Sequence, residues 1–274
     1  MTSLLAIIRF EWNRTMTSGR IAWWVTLAAF PVVITSLVRW FTYEAVMRVP
    51  PDRMEEFLAA QQTAWSIVLY MLVPCVASAV GVLLSAAPAI AGELEQRSWV
   101  YMATRPNGIF WLMLGKYMVA VVWGASASIA GLTVAVPITG LDVATAFDLW
   151  FTLVRLCLLS CGSYAAVFML IGAIIPHRAM VFCVAYTGVV EVVISMIPAV
   201  INRITVQYRL RSLFVSWTGA EEQLRNMPFF EYVFNEDGTM LQILWLLALT
   251  AVFLVTALVI AHRREFTAVA ESDV

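Results

Sequence analysis

PAIAGELEQRSWVYMATRPNGIFWLMLGKY, residues 88–117, is the longest run within the apolar middle of the chain that cannot lie in a membrane. It carries Glu93, Glu95, Arg97, Arg105 and Lys116, and each charge at a bilayer centre costs about 2.5 to 3.5 kcal/mol even on the insertion scale kindest to charge. Pro88 suits a helix start, and Glu93 and Glu95 fall early in the helical run, where acids favour the positive end of the helix dipole. Arg105-Pro106-Asn107-Gly108 reads as a stop and a turn. The stretch therefore predicts a short helix outside the lipid, a turn, and a return into the membrane through Ile109, Phe110, Trp111 and Leu112.

On both sides of this stretch the chain is apolar. Its 274 residues are 62% hydrophobic and 13% charged, with a mean hydropathy of +0.84, against about 45–50% apolar residues in a soluble domain. That composition is an integral membrane protein's. Six hydrophobic segments, about 21–41, 65–88, 117–139, 150–175, 179–201 and 240–261, each approach the roughly 20 residues that cross about 30 Å of hydrocarbon. An even number puts both termini on one side. With that side cytoplasmic, nine cations (Arg9, Arg14, Arg20, Arg97, Arg105, Lys116, Arg178, Arg263 and Arg264) lie inside. Six (Arg48, Arg53, Arg203, Arg209, Arg211 and Arg225) lie outside, and Arg39 and Arg155 fall within spans. The excess favours cytoplasmic termini and a cytoplasmic 89–116 loop, in a plasma or bacterial inner membrane.

The expected fold is thus all-α, with residues 1–274 forming one transmembrane domain without repeats or low-complexity tracts. Residues 1–20 predict an interfacial amphipathic helix, because Leu4, Leu5, Ile8, Trp12 and Met16 share an arc that Arg9, Asn13 and Arg14 avoid; Ile7 and Phe10 blur its polar face. The same residues also suit a solvated lead-in to the first span. In 42–64, Pro50-Pro51 breaks any helix arriving from the first span. Gly140 to Leu149 is a short external link, and Pro176-His177-Arg178 a tight cytoplasmic turn. In the extracytoplasmic segment 202–239, Val206, Leu210, Leu213, Phe214 and Trp217 fit one helical face, although 204–211 also alternates as a strand does. Thr218-x-x-Glu221 reads as the capping box of a second short helix that Pro228 ends.

Chemistry is sparse. A P-loop needs Gly-x4-Gly-Lys-[Ser/Thr] to wrap phosphates in backbone amides. The only Gly-Lys pair, Gly115-Lys116, has Phe110 in place of the first glycine and Tyr117 in place of the hydroxyl residue. Gly124-Ala125-Ser126-Ala127 echoes intramembrane serine proteases. However, His177 and His262 sit at span ends while Ser126 lies about 15 Å deep, so small residues packing helices together is the better reading. No metal-binding His-Glu-x-x-His or paired-Asp motif occurs. No enzymatic activity and no cofactor in this chain are therefore expected. The four cysteines (75, 157, 161 and 183) fall in apolar segments, so no disulfide is expected either. A net charge of −1 offers nucleic acid no attraction. Glu191, midway along the fifth segment in Val-Val-Glu-Val-Val-Ile, is the notable intramembrane charge: a transport-path acid, or half of a structural pair with Arg155. Trp23, Trp24, Trp40 and Trp65 suit a membrane-interface belt.

Glu93-x-Glu95 after a long hydrophobic helix, Ser98 close behind, Pro106 about ten residues on, and Leu114-Gly115-Lys116-Tyr117 opening the next hydrophobic helix resemble the permease subunits of ATP-binding-cassette transporters, in the type-2 exporter class. The six-span plan extends the likeness along nearly the whole chain. One departure is that Arg105 precedes Pro106 and Asn107-Gly108-Ile109 follows, where that family carries a small or apolar residue and then a polar, often basic, pair. The resemblance implies a cytoplasmic coupling helix within 89–116, with Glu93, Glu95, Arg97, Ser98, Arg105 and Pro106 meeting a separate ATPase subunit that holds ATP and Mg. It also implies a second permease copy or a sister permease, membrane lipids around both, and alternating-access export. Two other readings stay open: an ion-coupled secondary transporter or channel subunit using Glu191, and a membrane anchor protein without transport.

Overall fold

The computed structural model describes residues 2–47, 50–95, 99, 104, 107–196, 202, 205–219 and 238–263. All regular structure among them is helical, and no strand occurs. Helix α1 spans Thr2–Thr15 and α2 Ser18–Met47. α3 (Met54–Tyr70) runs through a π turn, Met71–Ala77, into α4 (Ser78–Ala86), then through a 3-10 turn, Ala87–Ala89, towards α5 (Ala91–Glu95). α6 (Gly108–Ile138) and α7 (Val143–Ile174) are the longest unbroken helices. α8 (Ala179–Tyr186) continues as a π turn, Thr187–Val193, and a 3-10 turn, Ile194–Met196. α9 (Val206–Thr218) and α10 (Thr239–Arg263) complete the set.

Among the described residues, five stretches are long and apolar enough to cross a membrane: Ser18–Tyr43, Glu56–Glu95, Gly108–Ile138, Val143–Ile174 and Thr239–Arg263. The protein is a multi-pass membrane protein. These five correspond to the expected segments at 21–41, 65–88, 117–139, 150–175 and 240–261. The expected span at 179–201 is not among them; its described part, 179–196, is built in three helical geometries.

Helix α6 sits at the centre, packed by α1, α2, α4 and α7. Small residues set how closely its neighbours approach. A Cβ at Gly131 would lie 2.5 Å from the Ala28 carbonyl oxygen and 2.7 Å from Pro31 Cγ of α2, and one at Gly124 would lie 2.7 Å from Val82 Cγ2 of α4. Ser78 Oγ donates to Ser128 Oγ across the α4–α6 seam (3.2 Å). Where helices cannot gain from expelling water, such close backbone approach supplies the contact energy. The Gly124–Ser128 run is therefore a packing seam, and Ser126 accepts a hydrogen bond from Trp24 Nε1 at 3.0 Å.

The π turn has a local cause. Pro74 has no amide hydrogen to continue the ladder, Ser78 N–H reaches back five residues to the Val73 carbonyl, and the Pro74 carbonyl accepts from Ser160 Oγ of α7 at 2.7 Å. At one end of the bundle, the near end, Ile7 of α1 packs onto Gly115 of α6. The last turns of α10, with Val259, His262 and Arg263, line a cavity there with Asn107 and Phe110. At the far end Gly140 (φ +73°) makes the turn between α6 and α7, with the Arg39 guanidinium beneath it.

Several expectations need correction. Pro88 does not start a helix: it lies inside a 3-10 turn that carries the α4 helix onward. α1 ends at Thr15, and Ile7 belongs to its packed face while Met16 is exposed, because α6 rather than a flat surface covers the helix. α9 is helical over 206–211, so that stretch is no strand. Nor is α9 one-sided: Gln207, Arg209, Arg211 and Ser212 are buried along with Val206, Leu210 and Leu213, since α7 and α10 pack on it. Thr218 ends α9, donating back to the Phe214 carbonyl, and Gly219 (φ +66°) closes it. The proposed second helix, with Glu221 and Pro228, lies outside the described residues. Of the four tryptophans read as a belt, Trp23 and Trp40 are exposed, Trp24 is half-buried and Trp65 is buried in the bundle.

Candidate functional site

The sequence singles out two places, and the structure treats them differently. The first is the near end. Glu93, in the single turn of α5, is buried at 2% exposure, and its Oε1 meets Arg14 Nη1 of α1 at 2.6 Å and Lys116 Nζ of α6 at 2.8 Å. Lys116 Nζ also meets Glu11 Oε2 of α1 at 3.0 Å. Two acids and two bases thus form one knot that ties three helices together. A charge so buried is tolerable only with such partners, because water no longer solvates it. Two residues on, Glu95 points outward and is exposed, as the half-turn offset of a helix requires. Trp99 is buried in the main hydrophobic cluster. Arg97, Ser98, Arg105 and Pro106, the other residues expected to meet a partner, lie outside the described residues. Asn107 is described and takes the left-handed conformation (φ 56°) just before α6, which fits the expected turn.

Sequence reading took Glu93 and Glu95 as a pair on one docking surface. Geometry separates them: Glu93 is an internal tie and Glu95 a surface group. Glu11 and Arg14 were legible only as polar interruptions of α1, and nothing in spacing alone connects them to residues about eighty and a hundred positions away.

The second place is Glu191, in the π turn after α8 and 3% exposed. Its Oε1 accepts from Tyr186 Oη at 2.7 Å and from the Val206 amide at 3.3 Å. Its Oε2 accepts from the Gln207 amide at 2.8 Å, and the Tyr164 hydroxyl, 3.4 Å from it, shares its one hydrogen with the nearer Gln207 Oε1 at 3.2 Å. Val206 and Gln207 open α9, so the carboxyl caps that helix's N-terminus and faces the positive end of its dipole. The network continues through Gln207 Nε2 to Tyr70 Oη at 3.0 Å and to Cys75 Sγ. Both π turns, 71–77 and 187–193, flank this cluster, and insertions of that kind recur where a helix must turn a polar group inward. Arg211 Nη2 adds a hydrogen bond to the Ser195 carbonyl at 2.8 Å. Since 191 meets 206–207 and 195 meets 211, α9 runs alongside the α8 segment in the same direction. It begins at the depth of Glu191, inside the bundle. That broken-helix geometry was not visible in the sequence, where 202–239 reads as a cap.

Arg155 does not pair with Glu191. Its guanidinium lies 4.5 Å from the ring centroids of both Phe151 and Trp217 and donates to Thr152 Oγ1. The reason is position on α7: Tyr164, the residue that reaches Glu191, is nine residues further along, about 13 Å of helix rise. The four cysteines are free thiols, and no cluster of three or more potential metal ligands occurs among the described residues.

The chain matches no family model, no curated protein and no solved structure.

Proposed function

We propose that this chain is the permease subunit of an ATP-binding-cassette exporter resembling the type-2 class. In this reading the near end is cytoplasmic, two permeases form the path, and ATP with Mg is hydrolysed on a separate ATPase subunit. The observation that carries the proposal is the continuity of α3, α4 and α5 with the Glu93 knot. A helix 40 residues long, Glu56–Glu95, reaches the near surface and is clamped there to α1 and α6, leaving Glu95 exposed beside the clamp. A push on that surface would move three helices as one body, which is what a coupling lever must do. Residues 179–196 serve as the sixth crossing, at about 27 Å of helix rise, and α1 as the interfacial helix.

The ion-coupled alternative is disfavoured by Glu191 itself. Its two oxygens already accept three hydrogen bonds from within the chain, with the Tyr164 hydroxyl shared between it and Gln207, so it is better suited to fixing α9 than to receiving an ion. The test is affinity purification of the tagged chain from its native membrane, with Glu95→Lys as the variant. A P-loop ATPase recovered with the native chain and lost with Glu95→Lys is the expected result. Recovery of no such ATPase under gentle detergent sinks the proposal.

A further inference from the structure

At the far end, between α3, the start of α7 and the end of α9, lies a cavity of about 220 Å³. A smaller one of about 90 Å³ adjoins it and shares Gln62, Ser66 and Thr218 with it. Two polar stripes supply most of the lining: Gln62 and Ser66 on α3, and Thr145, Asp148 and Thr152 on α7. Their spacings of three and four residues keep each set on one helical face. Trp217 and Thr218 of α9 complete the wall, and among the described lining residues only Leu149 and Trp217 are apolar. Both stripes lie within stretches otherwise apolar enough to span a membrane, where polar side chains are costly unless they face a watered or occupied interior. Pockets for apolar ligands are lined the other way, by hydrophobic side chains with a few polar ones. This one suits a polar guest.

The balance of donors and acceptors narrows the chemistry. Ser66 Oγ donates its one hydrogen to the Gln62 carbonyl at 2.8 Å, and Thr218 Oγ1 donates to the Phe214 carbonyl at 2.7 Å. The Thr145 hydroxyl is bonded to Asp142. These three hydroxyls therefore present lone pairs to the cavity rather than hydrogens. The Asp148 carboxylate, which only accepts, has no partner among the described residues. Thr152 Oγ1 accepts from Arg155 Nη2 at 3.3 Å, which leaves its own hydrogen to give, and the exposed Gln62 amide can both donate and accept. The guest must bring several donors and at least one acceptor. A lone ammonium lacks the acceptor and would meet the Arg155 guanidinium, which lies 4.5 Å from the Trp217 ring centroid; an anion would meet Asp148. A neutral group rich in hydroxyls satisfies each condition, and the half-buried Trp217 ring offers an apolar surface to the C–H face of a sugar.

We infer that this cavity binds one glycosyl unit, with Asp148 and Gln62 holding its hydroxyls, Ser66, Thr152 and Thr218 adding hydrogen bonds, and Trp217 packing on the ring. The volume is below the roughly 300–1,000 Å³ of pockets for drug-sized ligands, which suits a single ring. A soluble saccharide and a glycolipid headgroup share this chemistry, and the test separates them. The site holds whether or not an ATPase drives the chain.

The test uses the full chain in a sugar-free polyoxyethylene detergent. Methyl glycosides of glucose, galactose, mannose and N-acetylglucosamine are titrated, with putrescine as a cationic control, and saturation-transfer difference NMR reads binding. Expected is saturable binding of at least one glycoside, weakened about tenfold in Asp148→Asn and in Trp217→Ala, and unchanged in Thr256→Ala, an exposed position on α10. Native mass spectrometry with the matching glycosyl diacylglycerol and with dioleoylglycerol then assigns the source. Retention of the glycolipid alone, lost in Asp148→Asn, makes the guest a headgroup; no such retention makes it a soluble saccharide. No saturable binding of any of the glycosides, affinity unaltered by both substitutions, or putrescine bound more tightly than every glycoside would each overturn the inference. Because Asp148 and Gln62 are exposed, Asp148→Asn and Gln62→Ala should keep the native Tm, and Gln62→Ala serves as the second variant if Trp217→Ala does not fold.

Discussion

Replacing Glu191 with leucine removes the acceptor for two main-chain amides and the Tyr186 hydroxyl at once, while Tyr164 keeps Gln207 Oε1. Each buried donor left without a partner costs roughly 1–3 kcal/mol, and loss of a helix N-cap alone costs about 1 kcal/mol. Glu191→Leu should therefore lose about 2–4 kcal/mol, read as a lower Tm in detergent. Glu191→Gln retains one good acceptor and should lose about 1 kcal/mol. Equal Tm values for the two variants would show that the cap contributes nothing. Asp142 gives a pH prediction at the same scale. It caps α7, accepting from the Thr145 amide at 3.1 Å, and hydrogen bonds from the Thr145 side chain and main chain hold its carboxyl below the ordinary aspartate range. A depressed carboxyl contributes stability that is present above its unfolded value and lost as pH falls through its folded one. Protection factors for hydrogen exchange in the first turn of α7 should thus fall on acidification below the ordinary aspartate value, and Asp142→Ala should show the low protection already at neutral pH.

At the scale of elements, the Glu93 knot and the α6 seam hold different helices by different physics. Glu93→Ala leaves Arg14 and Lys116 with only Glu11 and should cost about 3–5 kcal/mol, as breaking a buried ion pair does. Glu95→Ala, two residues away, should fall within about 0.5 kcal/mol of the native chain, as surface changes do. A comparable loss in both would mean that α5 is not clamped. The seam predicts its own contrast: Gly131→Leu drives a side chain into the Ala28 carbonyl and should cost about 3 kcal/mol, while Gly188→Ala, with nothing within 4 Å of the new Cβ, should be close to neutral. Both are measured as Tm in the same detergent. The seam was legible in the sequence because Gly124 to Ser128 is a run of small residues. The knot was not, because its members are ordinary charges whose meaning comes from helices that meet only after folding. Glu191 was legible as an anomaly, an acid in an apolar segment. Its partner was not, since a main-chain helix terminus leaves no residue-type signal and Arg155 was the cation visible within the neighbouring apolar segment.

For the whole molecule, the count of crossings decides the topology, and the structure constrains it from its two ends. Hydropathy located five long apolar helices from periodicity and length alone. The segment from 179 is not among those five; its helix is wound partly as a π turn that brings Glu191 to the start of α9. α7 closes at Ile174 towards the near end, where Gly172 packs against Ala87 just before α5. α10 opens beside the far end of α9, where Thr239 Oγ1 meets Ser216 Oγ at 3.0 Å. In the reading proposed above, the chain changes ends between these helices through 179–196. With that crossing counted, α1 and the end of α10 share one face of the membrane; without it they would lie on opposite faces. The difference is measurable by membrane-impermeant maleimide labelling of single cysteines at Asn13, Val143 and His262, in a background with the four native cysteines changed to alanine. Asn13→Cys and His262→Cys should label together, only in inverted vesicles, and Val143→Cys, at the far end, only in intact cells. Labelling of 13 and 262 from opposite sides would remove the sixth crossing and the exporter-like plan with it. Labelling of both only from outside would keep the crossing but turn the Glu95 surface away from any cytoplasmic ATPase.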